Sequence, residues 1–100
     1  GCAFCLNMHT RDARKLGERE QRIYLISAWR GAPQFTEEER AILAMTEEVT
    51  LISQHGLSDA TYNKAVALFG KERTAQLIMV IVTINAWNRI AVSSHQLPAA

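Results

Sequence analysis

Between Gly70 and Pro98 the chain contains no glycine or proline, and the middle of that stretch, Leu77 to Ile84, is apolar around nearly its whole circumference. The run "LIMVIVTI" is rich in β-branched residues, but it lies inside a far longer unbroken segment, and length decides for a helix over about Lys71–Val92. A helix that is apolar all round has to be covered on all sides. A domain of 100 residues has little material to cover it. A second copy of the chain is therefore expected to cover part of this helix, giving a homo-oligomer; the alternative is a central helix fully enclosed in a monomer. Gln76, Thr83 and Asn85 interrupt "AQLIMVIVTINAW", which falls short of the roughly 20 apolar residues that span a bilayer. No membrane partner is expected.

The rest of the chain also reads as helix. Residues 2–16 contain no glycine or proline, and Gly17 is placed to stop them. In residues 18–29, Ile23, Ile26 and Arg30 share a stripe, with Tyr24, Leu25 and Trp29 beside it. "RGAPQF" then breaks the helix, because Pro33 lacks an N–H and Gly31 tolerates positive φ. Thr36 and Glu39 form a capping-box pattern, with Phe35 as a staple against Arg40 and Ala41. Ile42, Met45, Val49 and Ile52 recur at spacings of three and four, predicting one face of a helix that ends at His55-Gly56. Ser58 is placed to cap the next helix, with Tyr62, Ala65, Val66 and Phe69 on its inner face and Gly70 at its end. No alternating stretch bounded by turn residues predicts a strand. The expectation is a single all-α domain over residues 1–100, with about five helices.

Composition narrows the function classes. Hydrophobic residues make up 48% and charged residues 21%, as in an ordinary globular domain. A net charge of +1 and no run of Lys or Arg leave no electrostatic case for nucleic acid. The opening residues lack the basic region and apolar core of a signal peptide, and two cysteines do not make a secreted disulfide framework. The expected compartment is the cytoplasm, with thiols that are reactive or metal-binding.

The chemistry concentrates in "GCAFCLNMHT". On a helix, Cys2 and Cys5 have Cα atoms about 5 Å apart, inside the approximate 4.4–6.8 Å window for a disulfide. His9 follows Cys5 by four residues and Cys2 by seven, so all three project from one face. A dithiol centre needs this arrangement: one thiolate attacks, a second resolves, and an imidazole takes the proton. The helix N-terminus favours a thiolate at Cys2, whereas His9 is best placed for Cys5. Spacing alone leaves open which one attacks. A redox pair fits the pattern best. Two other readings compete: three ligands of a zinc site whose second ligand pair is absent, and two buried, inert thiols beside a satisfied histidine.

"GCAFCLNMHTRDARKLGE", then "YLISAW", "FTEEERAILAMTEEVT" and a terminal "INAWNRIAV" together resemble the AhpD-like alkylhydroperoxidase group of the carboxymuconolactone decarboxylase family. The similarity covers nearly the whole chain in the expected order. C-x-x-C-x-x-x-H combined with the distal N-A-W-N-R is a fairly specific signature. The resemblance implies an all-helical fold that oligomerises through its helices, as a trimer or hexamer. It implies a thiol-dependent peroxidase that reduces alkyl hydroperoxides, re-reduced by a dithiol partner such as a lipoylated or thioredoxin-like protein. By the same analogy Cys5 attacks the peroxide, Cys2 resolves it, and His9 belongs to the proton relay; no metal or organic cofactor is implied.

Two departures stand out. The peroxidases carry a relay glutamate about a dozen residues before the first cysteine, whereas this chain begins one residue before it, as if one or two N-terminal helices of the family domain were missing. Phe4, which cannot move a proton, stands where some members have a histidine. The competing functions are a cofactor-free decarboxylase of the same fold, whose members generally lack the C-x-x-C, and a non-catalytic helical or zinc-stabilised module.

Other residues carry weaker expectations. Asp12 is placed to orient His9, but beside Arg11 and Arg14 it reads more simply as a solvated pair. Trp87, with Asn85 and Asn88, reads as core or subunit interface rather than pocket wall. The acidic clusters "EEER" and "TEE" read as a helix start and a solvated face. His55 reads as the end of a helix.

Overall fold

A computed structural model describes residues 1–99. It contains α1 (Ala3–Lys15), α2 (Glu20–Leu25) leading into a 3-10 turn (Ile26–Gly31), α3 (Glu37–Thr50) and α4 (Asp59–Ser93). Among the described residues there is no strand. The four helices approach the expected five because α4 is broken at Gly70, where φ is +81° and ψ 164°. Gly70 therefore stops one helix as expected, and the next begins at once, without a connecting loop.

Start and stop signals act where the sequence places them. Thr36 accepts a hydrogen bond from the Glu39 N–H, and the Glu39 carboxylate accepts one from the Thr36 N–H, completing the capping box. Ser58 caps α4 by accepting from the Thr61 N–H. At the end of α1, Gly17 (φ +95°) lets its own N–H reach Arg14 O while the Glu18 N–H reaches Ala13 O. This is a Schellman ending. α4 closes with the same pair of bonds, His95 N–H to Val92 O and Gln96 N–H to Ala91 O, although the left-handed position is held by His95 (φ +58°).

Three local expectations fail. The helix expected to reach His55 stops at Thr50; residues 51–55 form turns, and Ile52 is exposed rather than on the inner face. Gly56, at φ +70°, then redirects the chain into Ser58. The helix expected over 18–29 tightens into the 3-10 turn after Leu25, with non-helical angles at Ala28. The tightening turns Trp29 inward, while Tyr24 and Ile26 remain exposed. Tyr62 likewise borders solvent, and Ala65 and Phe69 carry the inner face of the first part of α4.

Two small cores result. Trp29, Ala32 and Phe35 pack together with Leu25, Leu43 and Ala44 beside them. Met45, Ala65 and Ile81 form the other, flanked by Val49, Leu57, Phe69, Leu77 and Ile78. Thr74, Ile81 and Asn85, spaced by seven and four, are the buried face of α4. Each polar member is satisfied: the Thr74 hydroxyl donates to Gly70 O, and the Asn85 amide to Thr50 Oγ1 at 3.0 Å and Ile81 O at 2.9 Å. The opposite face of α4 presents Met79, Val80 and Val82 to solvent. By length and composition alone α4 is apolar enough to cross a membrane; it is broken at Gly70 and joined to α3 through Asn85 and Thr50.

The "EEER" cluster starts α3 as expected, whereas the glutamates of "TEE" are not a solvated face. Glu47 accepts from the Trp29 indole at 2.8 Å and from Arg30, and Glu48 accepts from the Ser58 N–H and the Thr61 hydroxyl. Burial pushes the Glu47 carboxyl up, yet those two hydrogen bonds outweigh it and hold the group below its ordinary value. Glu39 joins the capping box to the Arg22 guanidinium, and it is held at about 2 by the hydrogen bonds from Arg22 and from the Thr36 backbone.

Candidate active site

Cys2 stands just outside α1 as its N-cap, in extended conformation at φ −97° and ψ 98°. Its sulfur accepts the Cys5 N–H at 3.1 Å, the role an N-cap serine usually fills. Cys5 is therefore the third residue of the helix. The two sulfurs are joined in a disulfide, with Cα atoms 5.2 Å apart. The expected separation is met, although only Cys5 lies on the helix proper. The cap position leaves Cys2 half-buried, while Cys5, 7% exposed, is the one fully buried residue of α1.

α1 rests on the last three turns of α4, and two cavities open between them. The first, about 520 Å³, is bounded by Gly1, Cys2, Ala3 and Leu6 on the α1 side and by Asn88 on α4. The second, about 360 Å³, is walled by Phe4, Met8, Trp87, Ile90 and Ala91, with Gln96 closing it from the C-terminal segment. Cys5, His9 and Ile84 line both; Cys2 lines only the first. Asn7 Nδ2 donates to Ala99 O at 3.1 Å, tying that C-terminal segment back onto α1.

The three expected site residues thus meet in one place. His9 is exposed, and among the described residues no hydrogen bond fixes its ring. Asp12 is also exposed and makes no hydrogen bond to His9, so the orienting role considered for it is not realised. Asn85 belongs to the α3–α4 seam, whereas Asn88 lines the first cavity and Trp87, 61% exposed, lines the second. Trp87 is therefore not a core residue. Among the described residues no three His, Cys, Asp or Glu side chains come together as a metal-binding group. Phe4 and Gln96 were not legible as cavity residues, because the first is set by how α1 docks and the second by the left-handed turn at His95.

A sequence model of the carboxymuconolactone decarboxylase family matches residues 1–48, the stretch that holds Cys2, Cys5 and His9. A crystal structure from Agrobacterium tumefaciens, of a protein of unknown function suggested to be the antioxidant defence protein AhpD, is 40% identical with a TM-score of 0.96. That match covers all of this chain and 68% of the other. The chain belongs to the carboxymuconolactone decarboxylase family. Within that family it is AhpD-like. The uncharacterized protein YdfG of Bacillus subtilis (strain 168) is 43% identical over 93 residues, which are 93% of this chain. The chain spans 63% of the length of this curated relative. The family match stops before α4, and the matches to YdfG and to the Agrobacterium structure are what carry the likeness on through "NAWNR".

Proposed function

We propose that the protein is a thiol-dependent peroxidase that reduces alkyl hydroperoxides through Cys5 and Cys2. The observation that supports this most is the pair itself: a disulfide across the first turn of α1, with His9 one turn further and two cavities lined by both Cys5 and His9. A dithiol built this way can cycle without metal or organic cofactor. In the reduced state, His9 takes the proton of the Cys5 thiol. The Cys5 thiolate attacks the terminal peroxide oxygen, an S–O bond forms, the O–O bond breaks, and the alkoxide leaves with the proton from His9 as an alcohol. The Cys2 thiol then displaces hydroxide from the Cys5 sulfenic acid, giving water and the disulfide. An external dithiol returns both cysteines to thiols by exchange.

The position of Cys2 suits the resolving role. Its sulfur lies against the Cys5 N–H at 3.1 Å and the two Cα atoms are 5.2 Å apart, which puts Cys2 within reach of a sulfenic acid on Cys5. The test is peroxide consumption with dithiothreitol as reductant. Cys5→Ser is expected to abolish it. With pre-reduced protein and no dithiothreitol present, Cys2→Ser is expected to stop after one equivalent of peroxide, with a sulfenic acid on Cys5 that dimedone traps. Full turnover by Cys5→Ser would exclude Cys5 as the attacking residue.

The family description itself supports a second reading, a cofactor-free decarboxylase acting on a lactone. γ-Carboxymuconolactone turned over equally by the wild type and by Cys2→Ser/Cys5→Ser would favour it. On either reading the exposed Met79, Val80 and Val82 support assembly of several copies through α4. Met79→Glu is expected to lower the mass measured by analytical ultracentrifugation.

A further inference from the structure

Cys5 lies where the two cavities meet, but they are not equivalent. The first contains both cysteines together with Gly1 and Asn88. The second contains Cys5 without Cys2, and its walls are side chains of Phe4, Met8, Trp87 and Ile90. Those four are large and apolar, and Trp87 is left 61% exposed. An apolar cavity lined by a buried cysteine suits a ligand with a hydrocarbon body and a reactive group at its end.

We infer that the two half-reactions use different cavities: the hydroperoxide's hydrocarbon portion enters along Trp87 to Cys5, and the reducing dithiol reaches Cys2 through the Asn88 side. This inference rests on the peroxidase reading and assigns its two substrates to separate places. In the oxidising half, the Cys5 thiolate takes the terminal oxygen, the O–O bond breaks, and the alcohol departs along the apolar walls. In the reducing half, a thiolate of the external dithiol attacks the Cys2 sulfur, the S–S bond breaks, and Cys5 leaves as thiolate. The second thiol of the reductant then closes its own disulfide and releases Cys2 as a thiol. Access favours attack at Cys2 over Cys5, because Cys2 is the less buried of the two.

Trp87 is thereby a specificity-determining residue. Its test separates the half-reactions in the intact protein. Pre-reduced protein is mixed with cumene hydroperoxide or hydrogen peroxide, and the loss of free thiol is followed by rapid quench and alkylation. Oxidised protein is separately re-reduced by dithiothreitol. Trp87→Ala is expected to slow oxidation by cumene hydroperoxide about tenfold, the scale of one lost large apolar contact. Oxidation by hydrogen peroxide and reduction by dithiothreitol should stay within about twofold of wild type, and Trp87→Phe should recover most of the loss. Ala3→Phe, at the rim of the first cavity, is expected to do the reverse, slowing reduction and sparing oxidation. Equal slowing of all three reactions in Trp87→Ala, or slowed cumene hydroperoxide oxidation in Ala3→Phe, would overturn the division between cavities. Wild-type thiols that survive both peroxides would overturn the peroxidase reading itself, and the cavity assignment with it.

Discussion

The α2–α3 corner and the α1–α4 groove are built on opposite principles. At the corner Arg22 donates to Glu18, Glu39 and Gln34 O, while Arg40 donates to the carbonyls of Trp29, Arg30 and Ala32. The Trp29 ring lies under Arg30, 4.4 Å from the guanidinium carbon to its centroid. Almost every polar group there is used to hold another segment in place. In the groove, α1 buries only Cys5 fully, Leu6 and Met8 remain exposed, and among the described residues no hydrogen bond fixes the His9 ring. Side-chain hydrogen bonds tie segments together at the corner, whereas the candidate site lies on a helix with one fully buried residue. Low local stability beside a site is common, since substrates must enter and the thiols must move between redox states.

The contrast can be broken most severely at Met45, which is 0% exposed between α3 and α4. Met45→Ala is expected to cost about 2–5 kcal/mol in urea unfolding, whereas Leu6→Ala in the groove costs less than about 0.5 kcal/mol. A comparable loss at Leu6 would mean that α1 is as firmly held as α3.

Smaller is the effect of removing the amide that stitches α4 to α3. Asn85→Ala leaves the Thr50 hydroxyl and part of Arg89 without partners, at a cost of about 1–3 kcal/mol. It should change stability more than the rate of thiol oxidation, because Asn85 lines neither cavity.

Glu39 sharpens the comparison through pH. Its folded value of about 2 lies below its ordinary 4.5. The stability it contributes is therefore complete above about 4.5 and is lost as pH falls toward 2. Screening at this partly exposed position limits the contribution to about 1 kcal/mol. Glu39→Gln, which can still complete the capping box, should flatten the acid side of the unfolding profile. Glu39→Ala should add the loss of the cap, about another 1 kcal/mol. If Glu39→Gln follows the wild-type acid profile, the Arg22 pair is not what stabilises the corner.

The smallest expected change lies at the end of α4. His95 adopts the left-handed conformation that Gly17 adopts at the end of α1. His95→Gly should raise the unfolding free energy by less than about 1 kcal/mol, the conformational gain being partly offset by the freer unfolded chain. A clear loss would show that the His95 side chain makes a contribution beyond the turn.

Much of this was written in the sequence. The capping box at Thr36, the cap at Ser58, the stops at Gly17 and Gly70, and the closeness of Cys2 and Cys5 all follow from interactions within four or five residues. Such interactions depend on spacing and residue type alone. What failed were the features that need a distant partner. Glu47 and Glu48 look like a solvated pair until the 3-10 turn brings Trp29 and the Ser58 cap brings Thr61. The face expected to include Ile52 ends early because α3 stops at Thr50, where the Thr50 hydroxyl meets Asn85 of α4. The sequence by itself determined the helices and the dithiol, because both are local. Only the tertiary structure decided that Cys2 meets one cavity and Cys5 two, because those cavities exist only where α1 lies across α4, some eighty residues away along the chain.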